Sequence, residues 1–392
     1  MKKRVLITGA GIVSAIGNNQ SECLEALRKG QSGVGLVRFL PTEHKEFPVG
    51  EVKLSNEEMA HRLGIAGDKP LSRTVLMGIM AVREALEEAR LSDRKLALIS
   101  GTTVAGMDIT ERAYPDKLSA EILKTHDCGS NTNQIADYFG CFDFTTTPST
   151  ACSSALNALI FGTLLIRSGL RDIVVAGGTE ALTRFHLNGF KSLMILDEAP
   201  CRPFDATRAG LNLGEGAAFI VLESEESALR RGVKPLAELR GTGNACDAYH
   251  QTASSEDGEG AYLAMTKALQ NAGMEASEIQ YVNAHGTGTP NNDASESAAL
   301  RRVFGEKMPP VSSTKGFTGH TTSASGSIET VFSLLALRHL FVPENLGFTQ
   351  KDPACIVPYR DEPLESPLRS VMCNSFGFGG NDSSLIISAY GE

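Results

Sequence analysis

The chain has 392 residues, with 37 Lys and Arg against 46 Asp and Glu, which gives a formal net charge of −9. Hydrophobic residues make up 42% and charged residues 21%, which excludes a disordered or collagen-like chain. The acidic balance also excludes a nucleic-acid binder that relies on bulk positive charge. The length supplies a sizeable core for two or three domains, or for one large α/β unit.

The cysteines and the N-terminus predict a cytoplasmic protein. No two of the eight cysteines have Cys-x-x-Cys spacing, and a chain of this size needs no disulfide bonds. The N-terminus superficially resembles a signal peptide, but Gly9, Gly11 and Gly17 interrupt its apolar part and no clear cleavage site follows. A buried strand that runs into a glycine turn is favoured. No run of 18 apolar residues occurs, so no membrane span is expected.

Short apolar runs alternate with longer helical patterns along the chain, which is typical of an α/β fold. In chain order, strands are predicted at Val5–Thr8, Leu96–Ser100, Ile173–Ala176, Ala218–Leu222, Ile279–Asn283 and Leu385–Ser388. Helices are predicted at Arg73–Ala89, Ser153–Arg167, Tyr262–Ala272 and Ser327–His339, with a charged surface helix within Glu223–Lys234.

Two landmarks recur in the same order in the two halves of the chain. A polar segment leads into an apolar helix after residues 147–155 and again after residues 312–320. A glycine turn leads into a strand at residues 213–222 and again at 376–387. Any α/β chain repeats such units, but the matching order favours an internal duplication.

Cys152 is a candidate nucleophile because it directly precedes the predicted apolar helix, which Ser149 or Thr150 can cap. The positive end of the helix dipole would stabilise the thiolate form of the cysteine. The alternative is a small buried cysteine that only packs, and this segment alone does not decide between the two.

Two histidines in polar glycine and threonine loops favour the catalytic alternative. His285 lies in the segment Asn283–Pro290, and His320 lies in Thr318–Thr321. Neither histidine has a second ligand at i+3 to i+5, so no metal site is predicted. One cysteine before a helix and two such histidines suit acyl transfer through a thioester, in which the imidazoles donate hydrogen bonds to oxyanions.

The segment Gly9–Gly17 partly matches the glycine fingerprint of a dinucleotide-binding fold. Ser14 stands where the third glycine is needed, and no acidic residue ends a second strand about 20 residues later. No nucleotide cofactor is therefore expected.

Six motifs, taken in order over nearly the whole chain, resemble the beta-ketoacyl-[acyl-carrier-protein] synthases of the thiolase superfamily. They are Thr150–Ala155, Cys201–Asp205, Gly214–Ala217, His285–Pro290, Lys315–His320 and Asn374–Gly380. The resemblance implies an α/β, thiolase-like fold of two duplicated halves in a layered α-β-α-β-α arrangement. Residues 1–233 would carry the cysteine, and residues 234–392 would carry both histidines.

The resemblance also implies a decarboxylative Claisen condensation. Cys152 would hold the acyl chain as a thioester, while His285 and His320 stabilise the enolate formed when malonyl-acyl carrier protein loses carbon dioxide. Attack of the enolate on the acyl group would give a 3-oxoacyl-carrier protein that is two carbons longer. Phe378 matches a gating phenylalanine, and its backbone N–H would form an oxyanion hole with that of Cys152. The alternative is that Phe378 is an aromatic residue of a turn and only packs on the core.

Other positions match supporting residues of the family. Lys315 and Glu329 would form an ion pair that orients His320, since a buried lysine is costly unless it is paired. The remaining matches are Asp293 and Glu296, which would support the His285 loop, and Thr287, Thr289 and Phe376, which would contact the substrate. A solvated helix start is the alternative for the two acidic residues.

The implied partner is an acyl carrier protein, and no cofactor is expected because the substrates carry phosphopantetheine. Carrier proteins of this family are acidic, so the enzyme needs a local basic patch despite its own negative charge. Lys69, Arg73 and Arg202 are the candidates, and ordinary solvated charges are the alternative. We expect a homodimer or a heterodimer with a synthase-like subunit, and no contact with nucleic acid or membrane.

One departure leaves the acyl specificity open. The family's usual Gly-His-Thr-x-Gly-Ala-Ala-Gly reads Gly-His-Thr-Thr-Ser-Ala-Ser-Gly at residues 319–326, so Ser323 and Ser325 add hydroxyls beside the second histidine. Primary fatty acid synthesis and a specialised polyene or polyketide pathway both remain open, with a slight preference for the latter.

Two further classes also remain open. One is a non-catalytic, chain-length-factor-like partner subunit, which the intact cysteine, histidines and Lys315 disfavour. The other is a thiolase that acts on coenzyme A thioesters, which the motif Lys315–His320 disfavours.

Overall fold

The computed structural model of the chain describes residues 3–65, 71–91, 95–360, 362–364 and 366–391. Its strands are β1 Val5–Val13, β2 Leu96–Gly101, β3 Phe142–Thr146, β4 Ile173–Glu180, β5 Gly216–Ser224, β6 Ala237–Cys246, β7 Tyr281–Asn283, β8 Val311–Ser312, β9 Ser370–Gly377 and β10 Asn381–Ser388. Its α-helices are α1 Gln20–Arg28, α2 Asn56–Leu63, α3 Arg73–Glu88, α4 Met107–Ala113, α5 Ala120–Leu123, α6 Cys128–Phe139, α7 Ser154–Arg167, α8 Arg184–Ser192, α9 Glu225–Arg231, α10 Glu259–Ala272, α11 Pro290–Phe304, α12 Lys315–Thr318 and α13 Ser325–His339. Short 3-10 turns lie at Lys124–His126, Ala276–Glu278 and Thr322–Ala324.

The strands of the described residues form one sheet in the order β3-β2-β4-β5-β1-β6-β10-β9-β7-β8. Its two halves repeat one plan. In the first half, β1 pairs antiparallel with β5, β5 pairs antiparallel with β4, and β2 and β3 continue the sheet parallel to β4. In the second half, the strands in the order β6, β10, β9, β7 and β8 pair in the same directions. The halves join between β1 and β6, where Leu6 lies opposite Glu238 and Ile7 opposite Ala237. The duplicated α/β fold expected from the sequence is confirmed.

Helices cover both faces of each half of the sheet, which gives the α-β-α-β-α order of layers. Alternate residues of a strand point to different layers, because strand side chains alternate between the two faces. On β2, Ala97 and Ile99 join the central core with α7 and α13, while Leu96 and Leu98 join an outer core under α3. A third core lies under α10 and α11. Strands buried on both faces explain the unbroken apolar runs of the sequence.

Strand β1 is longer than the sequence predicted. Gly9 and Gly11 lie inside the strand, not in a turn, and they allow α3 to rest directly on it. A Cβ atom at Gly11 would lie 2.0 Å from the carbonyl oxygen of Ala81, and one at Gly9 would lie 2.4 Å from that of Ala85. The predicted glycine turn at the end of Val5–Thr8 is therefore wrong, and the chain turns only after Val13.

Every other predicted strand and helix is present with its ends shifted by a few residues. Strands β3, β6, β8 and β9 were not predicted, and neither were helices α6 and α11 and several shorter helices. None of the helices in the described part of the chain is both long and apolar enough to cross a membrane.

Candidate active site

Loops from both halves of the fold meet at a cavity of about 330 Å³. Cys152 and Phe378 line this cavity together with His285 and His320. The four residues on which the sequence argument depended most are therefore brought together, although they lie up to 226 positions apart in the chain.

Cys152 follows a tight turn that leads into α7. Ala151 has a φ of +51°, a left-handed conformation that costs a non-glycine residue about 1 to 3 kcal/mol. The hydroxyl of Ser154 holds the turn, since it accepts from the backbone N–H of Thr150 at 2.9 Å and donates to the carbonyl of Ala151 at 2.6 Å. The cap of α7 is Ser153, without a side-chain cap bond, so the predicted cap by Ser149 or Thr150 is wrong.

The resting state of Cys152 is the thiol. Burial raises its pKa to about 12, although Lys315 and the backbone N–H of Phe378 act in the opposite direction. The thiolate predicted from the helix dipole is therefore not favoured, because the loss of solvation outweighs the dipole. A proton acceptor is already in place, since His320 Nε2 lies 3.2 Å from Cys152 Sγ.

His320 is fixed through its backbone and both ring nitrogens. Its N–H donates to the carbonyl of Asn212 at 2.7 Å, and its carbonyl accepts from Gly214 at 2.9 Å. Its Nδ1 lies 3.0 Å from Ser325 Oγ. Burial, followed by Lys315, lowers the pKa of His320, so the ring is neutral and can take a proton.

His285 lies at the end of β7, with its ring 5.2 Å from that of His320 at an angle of 82°. Lys315 Nζ lies 3.3 Å from His285 Nδ1 and 2.5 Å from the His285 carbonyl oxygen. An ammonium group can only donate, so Nδ1 is an acceptor and the ring proton is on Nε2. Burial, Lys315 and His320 lower the pKa of His285, which leaves it as a neutral hydrogen-bond donor.

The predicted ion pair between Lys315 and Glu329 is present and buried. Its predicted role requires correction, because the ammonium group contacts His285 and not His320. Burial raises the pKa of Glu329 to about 7, against the lowering effect of Lys315. The pair stabilises the lysine charge directly behind His285.

Asp293 and Glu296 support the His285 loop as proposed, and the alternative of a solvated helix start is wrong because both are buried. Glu296 accepts from the backbone N–H of His285 at 2.9 Å and of Gly286 at 2.7 Å. Asp293 accepts from Phe204 N–H at 2.8 Å and from the loop at Gly288 N–H at 3.2 Å. These carboxylates hold the loop through its backbone.

Phe378 lies half-buried in the turn between β9 and β10, at the cavity. Its ring stacks on Phe190 with the centroids 5.7 Å apart and the planes 20° apart. Its backbone N–H points to the thiol of Cys152 and lowers the pKa of that group. Phe190 was missed by the sequence argument, since a phenylalanine in the short helix α8 gives no motif signal.

The remaining predicted substrate contacts also line the cavity. The hydroxyls of Thr287 and Thr289 lie 2.9 Å apart. The ring of Phe376 lies 5.8 Å from that of His285. In the described ranges no cluster of three or more His, Cys, Asp or Glu residues is placed to hold a metal ion.

The docking role predicted for Arg73 is wrong. Its guanidinium group is buried and donates to Glu215 at 2.6 Å, while its other nitrogens bond to Asn56 and to backbone carbonyls, so it has no free donor for a partner. Arg202 is half-buried and pairs with Asp197 at 3.1 Å, and its docking role stays a prediction. Lys69 lies outside the described residues.

Comparison with known proteins extends over the whole chain. The model of the beta-ketoacyl synthase N-terminal domain matches residues 2–228, and that of the C-terminal domain matches residues 236–349. The chain is 34% identical to 3-oxoacyl-[acyl-carrier-protein] synthase 2 of Staphylococcus aureus (strain COL), over 99% of each chain. It is also 34% identical to the protein of that name from Vibrio cholerae serotype O1, over 98% of this chain and 99% of the relative.

Solved structures of ketosynthases have a fold similar to that of this chain. The fold is similar to that of the ishigamide ketosynthase/chain length factor, with a TM-score of 0.91 and 32% identity over the full length of both chains. It is also similar to a ketosynthase in complex with its chain length factor from Xenorhabdus doucetiae, with a TM-score of 0.84 and 31% identity over 99% and 98% of the chains. The chain belongs to the beta-ketoacyl synthase family of enzymes.

Proposed function

We propose that this enzyme condenses an acyl group held on Cys152 with malonyl-acyl carrier protein and releases a 3-oxoacyl-carrier protein. The observation that carries the proposal is the distance of 3.2 Å between Cys152 Sγ and His320 Nε2, with the ring of His285 beside that of His320 in the same cavity. A thiol with its proton acceptor and a second, donating imidazole are the groups that the two half-reactions require.

In the first half-reaction, Cys152 sulfur attacks the carbonyl carbon of the acyl thioester. The thiol proton passes to Nε2 of His320, the bond from the acyl carbon to phosphopantetheine sulfur breaks, and the leaving thiolate takes the proton. The backbone N–H groups of Cys152 and Phe378 stabilise the oxyanion formed on the way.

In the second half-reaction, the bond between the malonyl carbon and its carboxylate breaks and carbon dioxide leaves. The electron pair forms an enolate, whose oxygen accepts a hydrogen bond from Nε2–H of His285. The enolate carbon attacks the acyl carbon, and the bond from that carbon to Cys152 sulfur breaks. The sulfur leaves as a thiolate, which takes a proton from solvent and restores the thiol. The hydroxyls of Thr287 and Thr289 suit the amide-rich phosphopantetheine arm that delivers the malonyl group.

We further propose that the chain pairs with a second copy of itself through the edge of its sheet. Strand β3 is at that edge and is largely half-exposed, which leaves unpaired backbone groups available to a partner strand. Phe161 and Leu164 of α7 are also exposed, by 38% and 53%. Light scattering should give a dimer, whereas a monomer that pairs only with a synthase-like subunit would identify a heterodimer and contradict self-pairing.

The test of the reaction uses purified protein, malonyl-carrier protein and a panel of saturated and polyunsaturated acyl-carrier proteins, with products resolved by mass. We expect an acyl adduct on Cys152 and a product two carbons longer. The preferred acyl chain distinguishes primary fatty acid synthesis from a polyene or polyketide pathway. Absence of both adduct and product with every substrate would contradict the proposal and favour a non-catalytic, chain-length-factor-like subunit.

A further inference from the structure

The ring of His320 is bonded to a hydroxyl on the side that faces away from Cys152. Its Nδ1 lies 3.0 Å from Ser325 Oγ, which in turn lies 3.2 Å from Thr321 Oγ1. Ser325 and Thr321 are both 1% exposed, so bulk water does not replace these bonds. Ser325 begins α13 but is not its cap residue, and α13 has no side-chain cap bond. The hydroxyl therefore serves the histidine and Thr321 rather than the helix.

The two active-site histidines have different partners at Nδ1. Lys315 faces His285, and an ammonium group can only donate, so the proton of His285 is on Nε2. Ser325 faces His320, and a hydroxyl can accept as well as donate. His320 can therefore keep its proton on Nδ1, which leaves the Nε2 lone pair directed at Cys152 Sγ.

We propose that Ser325 is a positioning residue for His320: its Oγ accepts the Nδ1–H bond and thereby makes Nε2 the acceptor of the Cys152 thiol proton. The inference deepens the proposed function and rests on it for the identity of the acyl donor. It assigns different tasks to the two imidazoles, because His320 takes a proton in the first half-reaction while His285 can only donate one.

Without the hydroxyl, the buried Nδ1–H of His320 has no acceptor among the described residues, and the tautomer with the proton on Nε2 becomes competitive. That tautomer directs a donor at a thiol and cannot take its proton. The thiol would then react only through thiolate formed in equilibrium with the solvent. Since burial raises the pKa of Cys152 to about 12, this fraction is very small at neutral pH.

The chain contains a matched control two residues away. Ser323 is fully buried, and its hydroxyl has no hydrogen-bond partner in the described part of the chain. Ser323→Ala therefore removes the same atom from the same loop without affecting His320. Ser325→Thr keeps the hydroxyl and adds a methyl group, and so separates the bond from the packing.

The experiment measures the rate at which iodoacetamide alkylates Cys152, located by peptide mass, over a range of about pH 6 to 9. In this reaction Cys152 sulfur bonds to the methylene carbon, iodide leaves and the thiol proton goes to His320. We expect Ser325→Ala to slow alkylation by roughly 100-fold or more at neutral pH, as the loss of a general base does. Its rate should then rise about tenfold per pH unit, whereas the wild-type rate stays nearly flat.

Other charged or titratable groups act on the thiol and His320 and are unchanged in all of these variants. They are Lys315, Glu329, Glu180, His186 and His285. A different pH profile in Ser325→Ala alone is therefore attributable to the hydroxyl. A merely structural role of Ser325 would lower the rate at every pH without changing the slope.

We expect Ser323→Ala to match the wild type and Ser325→Thr to recover most of the rate. The proposal is overturned if Ser325→Ala reacts at the wild-type rate and slope, or if Ser325→Thr is as slow as Ser325→Ala. Alkylation needs no carrier protein, so its outcome is independent of the proposed reaction. Loss of turnover with every carrier substrate, with the alkylation pattern intact, would refute the proposed function and leave the role of Ser325 standing.

Discussion

Nζ of Lys315 lies 3.3 Å from Nδ1 of His285, and the same ammonium group is paired with Glu329. This contact makes the two histidines of the cavity chemically different, because it keeps the His285 proton on the nitrogen that faces the substrate. The positive charge behind the ring also strengthens the hydrogen bond that His285 offers to a developing enolate.

Replacing Lys315 by Met should therefore impair decarboxylation more than acylation. We expect release of carbon dioxide from malonyl-carrier protein to fall by about 100-fold, the usual loss for one oxyanion donor. Formation of acyl-Cys152 should change much less, since His320 still faces the thiol. Mass spectrometry follows both reactions in single-turnover mixtures, and equal losses in the two half-reactions would contradict the assignment.

Cys152→Ala should abolish the acyl adduct while malonyl decarboxylation continues, because both histidines and Lys315 remain in place. Intact-mass measurement after incubation with acyl-carrier protein checks the first part, and carbon dioxide release checks the second. Cys141→Ala is the control, since Cys141 is partly exposed and is not among the residues that line the cavity. A stable acyl adduct on Cys152→Ala would show that another residue is the nucleophile.

Asp382 should make the protein less stable as the pH rises. Burial, followed by the charges of Asp247 and Glu296, raises the pKa of Asp382 to about 8, against about 3.9 in an unfolded chain. Between these values the folded state binds more protons than the unfolded state. The contribution of Asp382 to the free energy of unfolding is therefore fully present below about pH 4 and is lost as the pH rises to about 8, by about 1.4 kcal/mol per unit of pKa difference.

Urea unfolding at several pH values checks this for Asp382→Asn, in which the side chain no longer titrates. We expect a flatter pH dependence and a more stable protein than the wild type at about pH 8. An unchanged slope in the variant would assign the pH dependence to other buried carboxyl groups, such as Glu84 and Glu329.

Gly11→Ala should destabilise the fold, because the added Cβ would lie 2.0 Å from the carbonyl oxygen of Ala81. Moving α3 away from β1 is expected to cost about 1 to 3 kcal/mol or more. Gly35→Ala is the matched control, since a Cβ there meets no atom within 4 Å. The midpoints of urea unfolding compare the two variants, and equal midpoints would refute the close packing.

The sequence predicted which residues line the cavity better than it predicted their electrostatics. Cys152, His285 and His320 were identified because helix starts and glycine loops leave a local signal. The contact between Lys315 and His285 was not predicted, since that lysine is five residues from His320 in the chain but contacts His285 in the fold. The protonation state of Cys152 likewise depends on burial by residues far away in sequence.

Packing between segments far apart in the chain also explains two wrong predictions, the docking role of Arg73 and the turn at Gly9 and Gly11. Arg73 begins a helix, where a charged side chain is usually solvated, but Glu215 lies 142 positions further along and covers it with a matching charge. Gly9 and Gly11 suggest a turn locally, and only the position of α3 against β1 shows why glycine is needed inside a strand. The layered fold was predictable because its apolar runs are long and regular.

The repeated plan of the sheet places Cys152 and His320 at corresponding points of the two halves. Each lies in the loop that precedes the central helix of its half, α7 or α13, and the two loops meet across the join. Neither half alone contains both the thiol and its proton acceptor. The reactivity of a single cysteine is therefore a direct measure of interdomain assembly: during refolding it should return only when both halves have folded and docked.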